Sequence, residues 1–483
     1  MKLHTLIQEL TPKQHTFPEL NPEISAICFD SRKIESGTLF VAISGTQIDG
    51  HQFISQAIER GAVAIVCEKA VDNPTSKIPH IVVENSKEAL GLLASAFYDH
   101  PSKALKLIGI TGTNGKTTTA TLLYRLFTQL GYACGLISTI ENYVDQTLLP
   151  ARHTTPDALE LNQLLSDMVA KGCAYCFMEV SSHAIDQRRI AGLHFSGTVF
   201  TNLTHDHLDY HQTFAAYLTC KKSLFDHLTP DAFALVNIDD KNGQVMLQNT
   251  VAQKYSYACT RTADFGGRMI EQSVEGMLLR IDGTEISTSF IGRHNGYNLL
   301  AVYSVAVLLG AEKEEILRIL TTLRSVSGRL EYIKGKKGIT AVVDYAHTPD
   351  ALKNALATLQ EILTPEQALY SVVGCGGNRD KTKRPEMARI AFEGSTMTIF
   401  TSDNPRNEDP LHILHDMCSG LNAEERARCI VIPDRREAIK TAILMAPEKS
   451  IILVAGKGHE NYQEVHGVKY HFDDKEILRE YLE

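Results

Sequence analysis

The sequence predicts an α/β protein with three domains. We expect a small α/β unit at residues 1–102, a mostly parallel sheet at 103–330 and a third series of strands and helices at 331–483. Short apolar runs alternate with helical patterns along the chain. A glycine turn lies between a strand and a helix near residue 112, and polar motifs follow four strands in the last third. These features are typical of sheets whose strand ends form binding sites.

Composition narrows the class of protein. The 483 residues give room for roughly three domains of typical size. A net charge of −9 argues against general nucleic-acid binding, which needs a basic face. No apolar run reaches the roughly 18 residues that span a bilayer, and the N-terminus shows no apolar signal segment. We therefore expect a cytoplasmic protein that contacts neither nucleic acid nor membrane.

The ten cysteines indicate a reduced protein with buried thiols. They stand in apolar contexts, such as those around Cys28 and Cys67. Cys173 and Cys176 form a C-x-x-C pair with no second pair. Two cysteines at a strand start explain them better than a zinc site does.

In the first domain, residues 39–43 and 63–66 predict strands, with a helix at 51–60 between them. The His-Pro-Ser run at 100–102 predicts a linker. The central domain follows the same alternation. Its predicted strands are 105–110, 175–179, 197–201 and 232–236, and its predicted helices are 119–130 and 298–309.

In the third domain, every predicted strand is followed at once by a polar motif. The strands are 339–343, 369–373, 397–400 and 451–454, and the motifs are DYAH at 344–347, GCGGNR at 374–379, DNPR at 403–406 and GKGHE at 456–460. Ligands of open α/β sheets bind at the carboxyl ends of the strands. The four motifs therefore predict one shared cleft.

The glycine turn, GTNGKTT at residues 112–118, predicts a phosphate site. A glycine turn between strand and helix exposes backbone N–H groups at the positive end of the helix dipole. Lys116 would reach the terminal phosphates, and the Thr117 hydroxyl would contact Mg²⁺. The strict P-loop pattern has glycine at the position of Ile110, so a helix start with a surface lysine is the alternative. No Asn-Lys-x-Asp guanine reader is present, which favours ATP over GTP.

Two further segments suggest a metal. Glu179 follows a strand, which suits a partner of Mg²⁺, although a surface carboxylate is the alternative. The run NLTHDHLDYH at residues 202–211 packs three histidines and two aspartates together. It predicts either a metal site or a polar loop bound to backbone. The H-E-x-x-H signature of zinc hydrolases is absent, so Mg²⁺ with ATP is the simpler interpretation.

Other polar residues leave alternatives open. Asn298 could cap a helix or read adenine. The glycines at 374–377 resemble half of a dinucleotide fingerprint, which is weak evidence for a nicotinamide cofactor. Arg379 and Arg406, with Glu460 at another strand end, suit a substrate that carries both amine and carboxylate groups. An interdomain salt-bridge network is the alternative for these three.

Eight ordered motifs resemble those of the Mur ligase family of peptidoglycan synthesis. The likeness is greatest to the members that add the third residue to UDP-MurNAc-L-Ala-D-Glu, and it covers essentially the whole chain. It implies an N-terminal UDP-binding domain, a central ATPase domain and a C-terminal Rossmann-like domain. The motifs are DSR at 30–32, TGTNGKT at 111–117, TTP at 154–156, EVSSH at 179–183, DHLDYH at 206–211, HNGYN at 294–298, DYAHTP at 344–349 and those of the last domain.

The resemblance implies roles residue by residue. The catalytic set is Lys116, Glu179, His207 and Lys221. The ATP-binding residues are Gly112, Thr113, Asn114, Gly115, Lys116, Thr117, Thr118, Asn295, Asn298, Arg329 and Asp344. The Mg²⁺ ligands are Thr117, Glu179, His207 and Lys221. The residues that contact UDP-MurNAc-L-Ala-D-Glu are Ser31, Thr154, Thr155, Ser181, Gln187 and Arg189.

Lys221, before x-x-Leu-Phe, matches the lysine that the family carries carboxylated by CO₂ as a metal ligand. The spacing of the neighbouring Lys222 does not fit. The chain departs from the family at His153, where asparagine is usual, and at Cys220, where alanine is usual.

The DNPR motif marks family members that use meso-diaminopimelate rather than lysine. Arg406 would pair with the distal carboxylate of that substrate, and Gly456 and Glu460 would hold the distal amine. The implied diaminopimelate-binding residues are Arg379, Asp403, Asn404, Arg406, Gly456 and Glu460.

The implied reaction is an ATP-dependent amide ligation through an acyl phosphate. The expected partners are UDP-MurNAc-L-Ala-D-Glu, meso-diaminopimelate and ATP with Mg²⁺, and we expect a monomer. Three rival hypotheses are a ligase like folylpolyglutamate synthase, a binding protein gated by ATP and a metal-dependent hydrolase.

Overall fold

The computed structural model describes residues 1–45, 48–69, 77–151, 153–204 and 206–483. The chain divides into two compact units. The first comprises Met1–Phe265 with Ser304–Gly310, and the second comprises Gly266–Tyr303 with Ala311–Glu483. The boundaries of the three predicted domains stay a prediction.

The first unit opens with a small sheet. Its elements are α1 Leu3–Leu6, β1 Gln14–Thr16, β2 Ala26–Cys28, β3 Thr38–Val41, α2 Ile54–Glu59, β4 Ala62–Cys67, β5 His80–Val82, α3 Ser86–Phe97 and α4 Pro101–Ala104, with 3-10 helices at Ser31–Lys33 and Gly50–Phe53. The strand order is β1-β5-β4-β3-β2, and every pair is parallel except β1 with β5. Leucines and isoleucines of α1, α3 and the strands form its core.

The predicted linker at residues 100–102 is wrong. Pro101 is the first residue of helix α4. Proline suits that position because its φ is already helical and the first turn does not need its missing N–H.

The larger sheet of the first unit follows. Its elements are β6 Lys106–Thr111, α5 Lys116–Gln129, β7 Cys134–Ile137, β8 Glu141–Val144, β9 Thr147–Pro150, α6 Ala158–Ala170, β10 Tyr175–Glu179, α7 Ser182–Asp186, β11 Gly197–Phe200, α8 Leu208–His211, α9 Phe214–Asp226, β12 Phe233–Asn237, α10 Gly243–Met246 and β13 Gln253–Ala258. Strands β13-β12-β11-β6-β10-β7 are all parallel, and β8 and β9 extend the sheet antiparallel. The predicted strands are confirmed to within one residue at each end.

The next segment comprises an antiparallel meander and two helices. The elements are β14 Phe265–Ser273, β15 Gly276–Ile281, β16 Thr284–Thr288, α11 Arg293–Leu308 and α12 Lys313–Thr322. Helix α11 begins five residues before the start that the sequence predicted.

A second parallel sheet forms the rest of the second unit. Its elements are β17 Glu331–Lys334, a 3-10 helix Lys336–Gly338, β18 Thr340–Asp344, α13 Pro349–Ile362, β19 Leu369–Cys375, α14 Lys383–Gly394, β20 Met397–Ser402, α15 Pro410–Cys418, α16 Ala423–Ala427, β21 Ile430–Val431, α17 Arg435–Met445, β22 Ile451–Ala455, β23 Tyr462–Val465, β24 Val468–His471 and α18 Asp474–Leu482. The strand order is β17-β18-β22-β19-β20-β21, and β17 alone is antiparallel in it. Strands β23 and β24 form a separate hairpin.

The register of this sheet places the predicted motifs at one edge. Asp344 at the end of β18 pairs with Ala455 at the end of β22, and Cys375 at the end of β19 pairs with Ser402 at the end of β20. The residues that follow these ends are the four polar motifs, so their shared edge is confirmed. Separate apolar cores cover the two faces of the sheet.

A buried ion pair fixes one face of this sheet. Arg435 and Asp474 are both fully buried, and the guanidinium binds the carboxylate through Nε at 2.8 Å and Nη2 at 2.7 Å. Nη2 also donates to the carbonyl oxygen of Ala455 at 3.1 Å. The pair therefore joins α17, α18 and the end of β22.

We expect Arg435→Met to lower the free energy of unfolding by about 3–5 kcal/mol, because it leaves the Asp474 carboxylate buried without its partner. The chain has no tryptophan, so urea unfolding is best followed by far-ultraviolet circular dichroism. The matched control is Arg436→Met. It breaks the exposed pair of Arg436 with Glu480 and should change stability by less than about 1 kcal/mol. Equal losses in the two variants would contradict this role of the buried pair.

Candidate functional site

The glycine turn after β6 has a backbone that requires its glycines. Gly112 has φ +152°, and a Cβ there would lie 1.9 Å from the hydroxyl of Thr201. Gly115 has φ +87° and precedes the first residue of α5. The N–H groups of Thr113 and Asn114 donate to the backbone and side-chain oxygens of Asn202 at 2.8 and 2.9 Å. The residues after β11 therefore hold the turn in shape.

Two lysine amines meet at one carbonyl oxygen of this turn. Nζ of Lys116 and Nζ of Lys221 each donate to the carbonyl oxygen of Gly112 at 2.9 Å. Lys221 is 1% exposed. Burial, and then the nearby charge of Lys116, lower the pKa of the Lys221 amine well below its usual range. A neutral amine is the form that can react with CO₂.

The neighbouring Lys222 has a different environment. Its Nζ pairs with the Asp226 carboxylate at 2.6 Å, one turn along α9. Of the two adjacent lysines, Lys221 is the one that contacts the glycine turn.

Glu179 ends β10 as predicted and is 1% exposed. Its carboxylate accepts hydrogen bonds from the backbone N–H of Thr139 at 2.7 Å and from the Thr139 hydroxyl at 3.2 Å. The sequence analysis missed Thr139. It follows β7, the parallel neighbour of β10, so a polar pair after a strand was the signal that could have found it.

Several predicted muramoyl-binding residues are connected to Glu179 and Thr139 by hydrogen bonds. The hydroxyl oxygens of Thr139 and Thr154 lie 3.0 Å apart, at hydrogen-bond distance. The Thr155 hydroxyl donates to the backbone oxygen of Glu179 at 2.8 Å and lies 3.4 Å from the hydroxyl oxygen of Ser181. One hydrogen-bonded group therefore connects Glu179 with three of these residues.

Two more residues join through a guanidinium. Arg189 donates from Nη1 to the backbone oxygen of Thr155 at 2.8 Å and from Nη2 to Oε1 of Gln187 at 2.7 Å. Gln187 in turn donates to the hydroxyl of Tyr210 at 3.3 Å. Ser31 is buried at the start of the 3-10 helix Ser31–Lys33, and its hydroxyl donates to Oε1 of Gln56 at 3.0 Å.

The histidine-rich segment is described only in part. His205 lies outside the described residues, as does the side chain of Asp209. His207 is exposed, has φ +54° and lies with its ring 5.0 Å from that of His183. Within the described part of the chain, no three His, Cys, Asp or Glu side chains lie close enough to hold a metal ion together.

The donor chemistry of the predicted ligands fits Mg²⁺ on one condition. The Thr117 hydroxyl and the Glu179 carboxylate supply the oxygen atoms that Mg²⁺ prefers. The Lys221 amine does not, whereas its carboxylated form would. Three of the four predicted ligands therefore supply oxygen atoms to the ion when Lys221 carries CO₂, and the fourth, His207, would supply a ring nitrogen.

The second unit contains the residues predicted to lie near adenine and the rest of the nucleotide. Asn298 does not cap its helix, because α11 begins at Arg293. It is buried, and its Nδ2 donates to Oδ1 of Asn295 at 3.0 Å. The carboxylate of Asp344 accepts the N–H of Leu330 at 2.8 Å, and burial raises its pKa above the usual range.

The predicted diaminopimelate-binding residues surround the shared sheet edge. A Cβ on Gly456 would lie 2.5 Å from the carboxylate of Asp403, so this position requires glycine. Nδ2 of Asn404 donates to Oε2 of Glu460 at 2.8 Å. The edge thus combines residues from the ends of β20 and β22.

Arg406 is held at both its backbone and its side chain. Its φ is +51°, its N–H donates to the carbonyl oxygen of Glu464 at 3.0 Å, and its own carbonyl accepts the N–H of His466 at 2.8 Å. Nη1 donates to the carbonyl oxygen of Gly377 at 2.8 Å, and Nε lies 3.3 Å from the Glu464 carboxylate. Among the described residues, Nη2 has no hydrogen-bond partner.

The contacts of Arg406 described above lie inside the second unit. Arg379, another predicted diaminopimelate-binding residue, is exposed and makes no hydrogen bond or ion pair with the described residues. The first unit contains the residues predicted to bind phosphate, metal and the muramoyl substrate, and the second contains those predicted to lie near adenine and to bind diaminopimelate. In the described part of the chain, no helix is both long enough and apolar enough to cross a membrane.

Three domain models of one family match the chain. They are the Mur ligase middle domain at residues 110–306, the Mur ligase glutamate ligase domain at 328–458 and the Mur ligase family catalytic domain at 23–98. The match agrees with the α/β fold and its mostly parallel sheets.

Full-length relatives carry one name, UDP-N-acetylmuramoyl-L-alanyl-D-glutamate--2,6-diaminopimelate ligase. The protein of that name from Phocaeicola vulgatus is 52% identical over 480 residues, 99% of each chain. The one from Cytophaga hutchinsonii is 54% identical over 462 residues, 95% of each chain. A solved structure of a ligase with this name superposes with a TM-score of 0.70 at 32% identity and covers 99% of this chain and 97% of that one.

A folylpolyglutamate synthase of Mycobacterium tuberculosis also superposes, with a TM-score of 0.60 at 17% identity over 76% of this chain and 92% of that one. At this identity the likeness shows the fold alone. Since the three domain models belong to one family, and full-length relatives share about half of the residues, the chain belongs to the Mur ligase family.

Proposed function

We propose that this ligase joins meso-2,6-diaminopimelate to the γ-carboxylate of D-glutamate in UDP-MurNAc-L-Ala-D-Glu and converts ATP to ADP and phosphate. The observation that supports this proposal most directly is that Arg406, after β20, and Glu460, after β22, follow strand ends at one edge of the sheet. Arg406 offers a cation to a substrate carboxylate, and Glu460 offers an anion to a substrate ammonium. The relatives named above support the substrate class, and their name matches both ends of the new amide bond.

The glycine turn would bind the phosphates of ATP. Helix α5 begins directly after this turn, and the helix dipole favours anions at that end. Lys116 lies beside the turn and carries the charge that would meet the terminal phosphates of ATP. Thr117, Glu179, His207 and carboxylated Lys221 would hold Mg²⁺, which neutralises charge on phosphate oxygens when bound.

The reaction then has two steps. An oxygen of the D-glutamate γ-carboxylate attacks the γ-phosphorus of ATP, the bond to the bridging oxygen breaks, and ADP leaves. The neutral amine of diaminopimelate attacks the acyl carbon, a C–N bond forms, and phosphate leaves as the nitrogen loses a proton. Thr154, Thr155 and Arg189 would orient the dipeptide for these steps.

The enzyme would distinguish diaminopimelate from other amino acids by its distal end. Lysine has the same chain but lacks the distal carboxylate, so bound lysine would leave the Arg406 guanidinium without that partner. A site built for a missing polar group can discriminate by about 10⁴-fold.

The proposed function is tested by phosphate release from ATP with each substrate omitted in turn. We expect phosphate release only when UDP-MurNAc-L-Ala-D-Glu and diaminopimelate are both present, together with a product of tripeptide mass. Release with ATP alone and no new amide would contradict the ligase and favour an ATP-gated binding protein. An amide formed on a folate substrate instead would favour the folylpolyglutamate synthase alternative.

We expect Arg406→Ala to raise the KM for diaminopimelate by about 100-fold, because the bound carboxylate loses its charged partner. The KM for ATP should stay within about twofold, and the preference over lysine should narrow. Initial rates at varied concentrations of each amino acid measure this. An unchanged preference would remove Arg406 from substrate recognition.

We expect Lys221→Ala to lower kcat by at least about 100-fold, because it removes a ligand of the metal site. Lys222→Ala is the matched control; it breaks the pair with Asp226 and should retain most activity. Wild-type activity should also rise with added bicarbonate after CO₂ depletion. Equal losses in the two variants would contradict the assignment, as would an activity that bicarbonate does not affect in the depleted enzyme.

A further inference from the structure

Lys457 is a buried cation at the diaminopimelate edge to which the family motifs give no role. It follows β22 and is fully buried. Its Nζ donates to Oδ1 of Asn404 at 3.2 Å, to Oε2 of Glu460 at 3.3 Å and to the carbonyl oxygen of Tyr462. An ammonium has three N–H donors, so all of its donors are used inside the protein.

The first of these bonds fixes the orientation of the Asn404 amide. Oδ1 accepts from Lys457 and from the N–H of Glu464 at 2.9 Å, which uses both of its lone pairs. Nδ2 must then point the other way, where it donates one hydrogen to Glu460 at 2.8 Å. No residue that the structure describes accepts the second hydrogen of Nδ2, so a ligand oxygen that reaches this buried amide could accept it.

The second bond fixes Glu460. Its Oε2 accepts from both Asn404 and Lys457. Its Oε1 has no hydrogen bond to any residue that the structure describes. One oxygen is thus committed to the protein, and the other is available to a ligand ammonium.

We propose that Lys457 is a positioning residue that sets the specificity of the ligase for diaminopimelate. It orients Asn404 to donate to the distal carboxylate and Glu460 to accept from the distal ammonium, without touching the substrate. This inference rests on the proposed function, since it assigns those two residues to the distal end of that substrate.

Lys457→Met keeps a long unbranched side chain and removes the donors. The Asn404 amide can then rotate, and Glu460 keeps one fewer partner. We expect the KM for diaminopimelate to rise about 10- to 100-fold, which is the usual effect of losing hydrogen bonds to a charged group. The preference for diaminopimelate over lysine should fall by a similar factor, while the KM values for ATP and UDP-MurNAc-L-Ala-D-Glu stay within about twofold.

The chain offers a close control in Lys440. It also pairs with a glutamate three residues away, Glu437 at 3.7 Å, and lies over a tyrosine ring, 5.6 Å from that of Tyr481. The corresponding ring distance for Lys457 is 5.4 Å, to Tyr462. Lys440 is partly exposed, lies in helix α17 and makes no hydrogen bond with Asn404 or Glu460. We expect Lys440→Met to leave all three KM values unchanged.

A double-mutant cycle separates positioning from a general structural role. If Lys457 acts through Asn404 and Glu460, then Lys457→Met should raise the KM for diaminopimelate by a smaller factor in the Asn404→Ala background than in wild type, because only the part that acts through Glu460 remains. Lys457→Gln keeps one donor for Asn404 and should have an intermediate KM. It also provides the measurement if the methionine variant does not fold.

Two results would overturn this role: an unchanged KM for diaminopimelate in both Lys457 variants, or equal rises in the KM values for all three substrates. Wild-type enzyme assayed in parallel distinguishes a failure of the proposed function from a failure of the role proposed for Lys457. A wild type that forms no amide with diaminopimelate contradicts the proposed function and, with it, this inference. A wild type that forms the amide, together with unaffected variants, contradicts the role of Lys457 alone.

Discussion

The parallel pairing of β18, β22, β19 and β20 is the constraint on which the specificity site depends. Parallel strands place all their carboxyl ends at one edge, so four segments distant in sequence deliver their polar residues to one place. The pairing of Asp344 with Ala455 and of Cys375 with Ser402 sets this edge. The buried pair of Arg435 with Asp474 reinforces it, because Arg435 also binds the carbonyl oxygen of Ala455. Fold stability and the proposed recognition of the substrate therefore depend on the same strand ends.

The buried basic side chains of this protein differ in their hydrogen-bond partners, and these differences match the roles that we propose for them. Arg435 and Lys457 each contact a carboxylate, which compensates for the loss of water around the charge. Lys221 instead contacts a carbonyl and a hydroxyl oxygen among the described residues. Without a carboxylate, burial favours the neutral amine. A neutral amine beside the phosphate-binding turn is suited to capture CO₂, whereas a paired ammonium is suited to hold other side chains in place.

Much of this arrangement could be predicted from the sequence, because the strongest signals are local. Apolar runs followed at once by polar motifs located the strands and their functional ends, and Glu179 and the GKGHE motif were found in this way. Lys457 was part of a recognised motif, but its role depends on Asn404, which is distant in sequence and adjacent only in the fold. Thr139 was missed for the same reason. The early start of α11 and the helix at Pro101 were missed because cap and proline signals fit both a helix start and a loop.

The central claim is that the sheet edge around Arg406 selects an amino acid by its distal carboxylate. The most direct measurement is a competition assay with equal concentrations of meso-diaminopimelate and L-lysine. The mixture also contains wild-type enzyme, ATP, Mg²⁺ and UDP-MurNAc-L-Ala-D-Glu. Mass spectrometry then reports the ratio of the two tripeptide products in one mixture. The account predicts the diaminopimelate product in large excess. Comparable amounts of both products would contradict it, even if the ligase reaction itself proceeded.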